Sequence, residues 1–211
     1  MTTEKPRLAV SVFSDYICPF CYIGSRRLLR LADEFDLKVN WCGTEIHPNT
    51  PSDGMSLSKL GYSPEAWAQL SAELQILAHE EGLQFTDRDY TANSHQALLL
   101  AEAAKRVGRD IFYTLHEALF HAYFVRGQNI GDREVLKDIA LEAGLPADLA
   151  QAAWSEPEFE QRLQQNLLQA ARLHIRATPT YLFGQQILVG AVPFNQLTQA
   201  ANRLIQERQA L

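Results

Sequence analysis

Apolar and polar positions along the chain alternate with two different periods, and these periods predict the order of the elements. The stretch Leu8–Ser14 is apolar at alternate positions, which is typical of a buried strand. From Leu28 to Phe35 apolar residues recur every three or four positions, which predicts an amphipathic helix. The next strand is predicted over Lys38–Ile46. Because a helical crossover joins parallel strands, this part of the chain predicts a β-α-β unit.

The middle of the chain carries helix signals only. The segment His47–Gly61, with its prolines and glycines, is predicted to be a loop. After this loop, apolar residues recur with the spacing of helices. This spacing predicts a short helix near Asp148–Trp154 and a long helix that begins at Pro157. Capping residues mark the other helices: Ser63, Ser94, Asp110 and Asp132 at their starts, and Gly82, Gly108, Gly127 and Gly144 at their ends.

Strand signals return towards the end of the chain. The stretches Thr180–Phe183 and Gln186–Val189 flank Gly184-Gln185, which is typical of a tight hairpin. An amphipathic helix over about Phe194–Glu207 follows. The order β-α-β, then helices, then α-β-β-α predicts an α/β fold, a small α/β/α sandwich with a large all-helical insertion.

The length of the chain agrees with an insertion. With 211 residues the chain is long for one compact domain. We assign residues 1–48 and 157–211 to the α/β domain and residues 49–156 to the inserted helical domain.

Composition narrows the class of protein. The chain has 19 Lys and Arg against 25 Asp and Glu, a net charge of −6, whereas broad nucleic-acid binding needs a basic surface. Its apolar runs fall far short of the roughly 20 residues that span a bilayer. Charges near Met1 stand where a signal peptide would need an apolar stretch. We therefore expect a cytoplasmic protein without a nucleic-acid or membrane partner.

The candidate chemistry lies in Cys18-Pro19-Phe20-Cys21, between the first strand and the first helix. Free backbone N–H groups and the positive end of the helix dipole stabilise a thiolate at a helix start. We therefore expect Cys18 to have a lowered pKa and to be exposed, with Cys21 as the inner thiol one turn later. Such a pair can attack a disulfide and then resolve the mixed disulfide.

Other residues with reactive or charged side chains have simpler interpretations than a catalytic role. Cys42 falls in the second strand and is predicted to be a core residue. Asp15 and Glu45 are predicted to be caps or solvated residues, with proton acceptance from Cys21 as the alternative. Metal binding is less favoured, because zinc needs about four ligands and the six histidines offer little paired spacing. The solvated face of the first helix is predicted to carry Arg26, Arg27 and Arg30.

A proline stands directly before the returning strand, at Thr178-Pro179. A proline at the mouth of a strand can mark a cis bond, which would leave the Thr178 backbone free to pair with an extended peptide. An ordinary trans proline that ends a loop is the alternative, and the proline alone favours it.

In combination these motifs resemble the DsbA-like group of thioredoxin-fold oxidoreductases, and more narrowly its FrnE-like branch. The stretches that carry the resemblance are Asp15–Gly24, Asn93–His95, Leu119–Phe124, Gly127, Asn129-Ile130, Thr178–Phe183 and Val189–Pro193. The resemblance implies a thioredoxin-like fold with a helical insertion and a cis bond before Pro179, facing Cys18 and Cys21. It also implies disulfide exchange on protein or peptide substrates, with Thr178 in contact with the substrate. The stretch His174–Ala177 departs from the Gly-Val pair usual before that proline.

The resulting prediction is a thiol-disulfide oxidoreductase or isomerase. The predicted site comprises Cys18 and Cys21 as catalytic residues and Pro19, Phe20, Thr178 and Pro179 as substrate-binding residues. No bound cofactor is expected, and glutathione is a candidate redox partner.

Two other functions remain as alternatives. One is a glutathione-dependent isomerase or transferase of the 2-hydroxychromene-2-carboxylate isomerase or kappa-class type, which activates glutathione with a serine at the Cys18 position. The other is a biosynthesis-associated helper protein. The sequence leaves open the direction of electron flow, the natural substrate, the choice between monomer and homodimer, and the roles of Asn93 and His95.

Overall fold

The structure, a computed structural model, describes residues 5–209. The strands in chain order are β1 (Arg7–Ser14), β2 (Asp36–Gly43), β3 (Met55–Ser56), β4 (Tyr90–Thr91), β5 (Thr180–Phe183) and β6 (Gln186–Val189). The α-helices are α1 (Pro19–Leu29), α2 (Pro64–Glu80), α3 (His95–Val107), α4 (Arg109–Phe124), α5 (Arg133–Glu142), α6 (Ala147–Ala152), α7 (Pro157–Arg172) and α8 (Phe194–Gln209). Short 3-10 helices cover Arg30–Asp33 and Leu57–Leu60.

A mixed four-stranded sheet joins the two ends of the chain, in the order β2-β1-β5-β6. Strands β1 and β2 are parallel, with Val10 opposite Val39, and β5 pairs antiparallel with both β1 and β6. The predicted β-α-β and α-β-β-α segments therefore share one sheet, which confirms the predicted fold class. Strand β2 ends at Gly43, before the predicted Ile46, because the Ile46 N–H bonds to the Asp15 carboxylate at 2.8 Å.

The middle of the chain is helical, with one addition. Strands β3 and β4 pair antiparallel over two residues each, within and beyond the segment predicted as a loop. The Leu57 N–H continues this pairing with the Asp89 carbonyl at 2.8 Å. Two-residue strands carry no apolar period, so the sequence pattern gave no signal for them.

Two of the four predicted N-caps act as such. The side chains of Ser63 and Asp132 accept hydrogen bonds from backbone N–H groups of α2 and α5. Helix α3 follows Ser94, but its side-chain cap is Asn93, whose Oδ1 accepts from the His95 N–H at 2.9 Å. Helix α4 starts directly after Gly108, so Asp110 lies in its first turn and is not its cap.

The main core lies between the sheet and the helices, and it holds β1 and α1 in place. Leu8, Val10 and Val12 are buried on one face of β1. Phe13 and Cys42 are buried with Ala170 of α7 in a smaller cluster. The prediction that Cys42 is a core residue is therefore confirmed.

The three arginines predicted on the solvated face of the first helix do not share one solvated face. Arg26 and Arg30 are exposed, but Arg27 is only 2% exposed, so its predicted solvation is wrong. Its guanidinium contacts Glu80 at 2.6 Å and Glu81 at 2.8 Å, just at and beyond the end of α2. Because these partners come from a distant segment, the periodicity of α1 could not reveal them.

Candidate active site

The two thiols of the motif lie at the start of α1. Cys18 is the N-cap residue, Pro19 begins the helix, and the Cys21 N–H donates to the Cys18 carbonyl at 3.0 Å. Both cysteines are free thiols. The Cys18 Sγ donates to the Thr178 carbonyl at 3.4 Å, and the Thr178–Pro179 peptide bond is cis. The fold thus brings together two predicted parts of the site that are 160 residues apart in the sequence.

The burial of Cys18 corrects the expectation of an exposed thiol. Cys18 is 5% exposed and Cys21 is 1% exposed. The accessible surface of the site belongs instead to the half-buried Pro19, Phe20 and Thr178. A reacting disulfide must therefore approach over these three residues to reach the Cys18 sulfur.

The two thiols differ strongly in acidity. The hydrogen bond from the Cys21 side chain is the largest influence on Cys18 and lowers its pKa, with a further lowering by the Thr178 side chain and against the effect of burial. Burial raises the pKa of Cys21 well above its usual value. When the pair loses one proton, the negative charge therefore resides on Cys18 and the remaining proton on Cys21.

A buried carboxylate lies beside the pair. Asp15 is fully buried, and its oxygens accept from the Ile17 N–H at 3.3 Å and the Ile46 N–H at 2.8 Å. A third hydrogen bond comes from the Ser94 side chain. The backbone N–H of Asp15 donates to the Cys21 Sγ at 3.5 Å. Asp15 therefore caps the active-site loop as predicted, but it is not solvated.

We expect Asp15 to make folding depend on pH. Burial raises its pKa from 3.8 to about 6, so between these values the folded protein binds more protons than the unfolded chain. The free energy of unfolding should therefore fall, by up to about 3 kcal/mol, as the pH rises from about 4 to about 6.5. Denaturant titrations at several pH values, on the wild type and on Asp15→Asn, measure this contribution. Parallel pH curves for the two proteins would contradict it.

A hydrogen-bond network links the active-site loop to α1 and to the inserted helices. The ring of His116, fully within the core, contacts the Tyr16 hydroxyl through Nδ1 and the Ser25 hydroxyl through Nε2, both at 2.9 Å. Burial lowers the pKa of His116 to about 3, so the ring is neutral. The sequence offered no signal for this network, because His116 lies 100 residues from Tyr16.

Helix α1 packs tightly against the strand that follows the cis bond. A Cβ atom at Gly24 would overlap the Tyr181 hydroxyl and would lie 3.0 Å from Pro179 Cγ. Tyr181 is fully buried, and its hydroxyl has no hydrogen-bond partner among the described residues. Gly24 thus permits the close approach that sets Pro179 beside the helix carrying Cys21.

We expect Gly24→Ala to lower the free energy of unfolding by about 1–3 kcal/mol, because the methyl group overpacks this contact. The change Tyr181→Phe removes the overlapping hydroxyl at little cost. In the double variant it should restore part of the loss. Denaturant unfolding of the two single variants, the double variant and the wild type measures the coupling. Strictly additive effects would show that the hydroxyl does not cause the clash.

Asn93 and His95 lie away from the thiols. The Asn93 side chain caps α3 and donates to the Thr50 carbonyl at 2.5 Å. His95 lies between Glu45 at 3.2 Å and Glu160 at 3.0 Å, and the hydrogen bond to Glu45 is the main cause of its raised pKa. These residues connect the segment after β2 with α3 and α7, and Ser94 between them bonds to Asp15.

Residues 5–209 hold neither a metal-binding cluster nor a membrane-spanning helix. No group of three or more His, Cys, Asp or Glu side chains is arranged to hold a metal ion there. In the same range, no helix has the length and apolar character needed to cross a bilayer.

The chain is similar to known proteins along most of its length. The chain is 26% identical over 185 residues to protein YwbO of Bacillus subtilis (strain 168), which covers 86% of this chain and 90% of that protein. A probable DsbA oxidoreductase from Streptomyces coelicolor superposes with a TM-score of 0.84 at 25% identity, over 95% of this chain and 91% of that one. The cytosolic disulfide reductase DsbM from Pseudomonas aeruginosa has the same fold, with a TM-score of 0.65 at 19% identity over 96% and 98% of the chains.

The family model for the DSBA-like thioredoxin domain matches residues 9–202. This match includes both strands of the β-α-β unit, the inserted helices and the segment around Pro179. The chain belongs to the DSBA-like thioredoxin domain family.

Proposed function

We propose that this protein catalyses thiol-disulfide exchange on protein or peptide substrates, with Cys18 as the nucleophile and Cys21 as the resolving thiol. The opposite pKa shifts of the two thiols carry the proposal. A lowered pKa supplies the attacking thiolate at neutral pH, and a raised pKa keeps the second thiol protonated until the mixed disulfide has formed.

The proposed reduction transfers two electrons in two steps. The Cys18 thiolate attacks one sulfur of the substrate disulfide, so a Cys18–substrate bond forms and the other substrate sulfur leaves as a thiolate. The Cys21 thiol passes its proton to the substrate thiolate already released and attacks Cys18, which releases the second substrate thiolate. The substrate is then reduced and the protein carries a Cys18–Cys21 disulfide. Two glutathione thiols would restore the dithiol and leave as oxidised glutathione.

Substrate binding is proposed for the surface around the thiols. The half-buried Pro19, Phe20 and Thr178 surround the approach to Cys18, and Pro179 is buried behind them. The contact between the Cys18 sulfur and the Thr178 carbonyl supports a role for the Thr178 backbone, because a peptide paired there would lie beside the nucleophile.

Finer assignments remain predictions. They are membership of the FrnE-like branch, the domain boundaries at residues 48/49 and 156/157, and the cytoplasmic setting. In a reducing compartment, reduction or isomerisation would be favoured over net oxidation.

Trapping the mixed disulfide tests the proposal. The variant Cys21→Ser is incubated with a peptide that carries one disulfide to glutathione. It should accumulate a covalent adduct on Cys18, because the resolving thiol is missing. Intact-mass measurement identifies the adduct, and treatment with dithiothreitol should remove it.

The double variant Cys18→Ser/Cys21→Ser is the matched control and should form no adduct. An adduct on Cys42, or none with Cys21→Ser, would contradict the assignment of the nucleophile. If the wild type binds glutathione but never forms a Cys18–Cys21 disulfide in a glutathione redox titration, the glutathione-dependent isomerase becomes the better interpretation.

A further inference from the structure

A separate cavity of about 320 Å³ lies against strand β2 and the junction of α3 and α4. Its volume is within the range of small-molecule sites, roughly 300–1,000 Å³. None of the residues proposed for disulfide exchange lines it. Strand β2 is at the edge of the sheet, so the cavity lies beside a strand with only one neighbour.

The inner wall of the cavity is apolar. Leu37, Val39 and Trp41 occupy alternate positions of β2 and therefore share one face of the strand. Phe112 of α4 lines the same cavity. Leu37, Trp41 and Phe112 are at most 6% exposed, so they form a fixed wall and not a mobile surface.

The charged residues around this wall are all basic. Lys38, Lys105 and Arg109 line the cavity, and no acidic residue does so among those described. The Lys105 ammonium is paired with Glu102 at 2.7 Å and donates to the Trp41 carbonyl. Lys38 and Arg109 make no ion pair among the described residues. A locally positive cavity in a chain of net charge −6 favours an anionic ligand.

The start of helix α4 adds hydrogen-bond donors to this charge. Helix α4 has 16 residues, and Gly108 at its start supplies no side-chain cap, so the first N–H groups of the helix and its positive dipole end lie at Gly108 and Arg109, which line the cavity. The indole Nε1 of Trp41 has no hydrogen-bond partner among the described residues, but it is buried with no surface open to the cavity, so Trp41 offers a ligand apolar contact only.

We propose that this cavity binds a small organic monoanion with an apolar body, such as an aromatic carboxylate. The anionic group would lie near Lys38, Arg109 and the start of α4. The apolar body would pack against Val39, Trp41 and Phe112. This combination favours an anion, because a cation would be repelled and an uncharged ligand would gain no attraction from the basic groups.

Nuclear magnetic resonance of the indole N–H groups tests the site directly. The chain has three tryptophans, at positions 41, 67 and 154, and Trp41→Phe assigns the signal of interest. Titration with 1-naphthoate should shift the Trp41 indole signal in a saturable way and leave the Trp67 signal unchanged. The uncharged analogue naphthalene-1-methanol should bind at least about tenfold more weakly.

Charge-removing variants identify the contacts. Lys38→Gln and Arg109→Gln should each weaken 1-naphthoate binding at least about threefold. Both positions are exposed, so the variants should fold, and Arg203→Gln on α8 is the matched control and should bind as the wild type does. The proposal is overturned if no saturation occurs below about 10 mM, if the uncharged analogue binds equally well, or if neither variant changes the affinity.

The outcome does not depend on disulfide exchange. Lys38 and Arg109 do not line the cysteine site, so Lys38→Gln and Arg109→Gln should keep the wild-type rate of thiol-disulfide exchange. Loss of naphthoate binding with unchanged exchange would separate the two sites.

Discussion

Replacing Cys18 by serine is expected to abolish disulfide exchange. The rate of insulin reduction by dithiothreitol in the presence of the protein should return to the uncatalysed rate, a loss of catalysis of at least about 10³-fold. The physical reason is that a serine hydroxyl is not ionised near neutral pH, whereas the hydrogen bond from Cys21 lowers the pKa of the Cys18 thiol. A turbidity assay of insulin reduction measures the effect.

The third cysteine provides a control for this variant. Cys42 is buried, and burial raises its pKa to about 11, so it supplies almost no thiolate at neutral pH. The variant Cys42→Ala should therefore keep the exchange rate within about twofold of the wild type. Catalysis that survives in Cys18→Ser but disappears in Cys42→Ala would refute the assigned nucleophile.

Replacing Arg27 by methionine is expected to cause the largest loss of stability. The Arg27 side chain is 3% exposed, and its partner Glu81 is 9% exposed. The guanidinium also donates to the carbonyls of Ala191 at 2.6 Å and Val192 at 3.3 Å. Removing it leaves a buried carboxylate and two carbonyls without their main donor. The free energy of unfolding should fall by about 3 kcal/mol.

Arg26 provides a matched control on the same helix. It pairs with Glu117 at 3.3 Å, but both side chains are more than 40% exposed. Solvent screens such a pair, so Arg26→Met should change the free energy of unfolding by less than about 1 kcal/mol. Urea unfolding of both variants makes the comparison, and equal losses would show that burial does not decide the value of these ion pairs.

Arg27 also matters for the position of the site. It ties α1, which carries the cysteines, to the end of α2 and to the loop after β6. Breaking these contacts removes a restraint on α1 relative to the segment that contains Pro179. A loss of exchange activity in Arg27→Met, without a change at the cysteines, would be the expected secondary effect.

Local sequence patterns predicted the elements because each pattern depends on neighbours in the chain. Alternating apolar residues in Leu8–Ser14 and the Pro157 start of α7 agree with the structure. Because local patterns contain only neighbours in the chain, they gave the wrong solvation for Asp15 and Arg27. Asp15 and Arg27 have charged side chains, which a local pattern predicts to be solvated, and contacts from Ile46, Ser94 and Glu81 make their burial possible. A buried charge requires partners, and these partners are distant in sequence.

The candidate site also combines features that local patterns predict with features that depend on contacts between distant residues. Patterns among neighbours in the chain were enough to predict the β-α-β unit, the cysteine pair at the start of α1 and the difference between an N-cap thiol and an inner thiol. Contacts between distant segments, by contrast, bury Cys18, place the Thr178 carbonyl 3.4 Å from its sulfur, and hold His116 between Tyr16 and Ser25. The reason is that burial and these contacts are set by groups that are distant in the sequence, and the chain brings those groups together only when the sheet closes around β1.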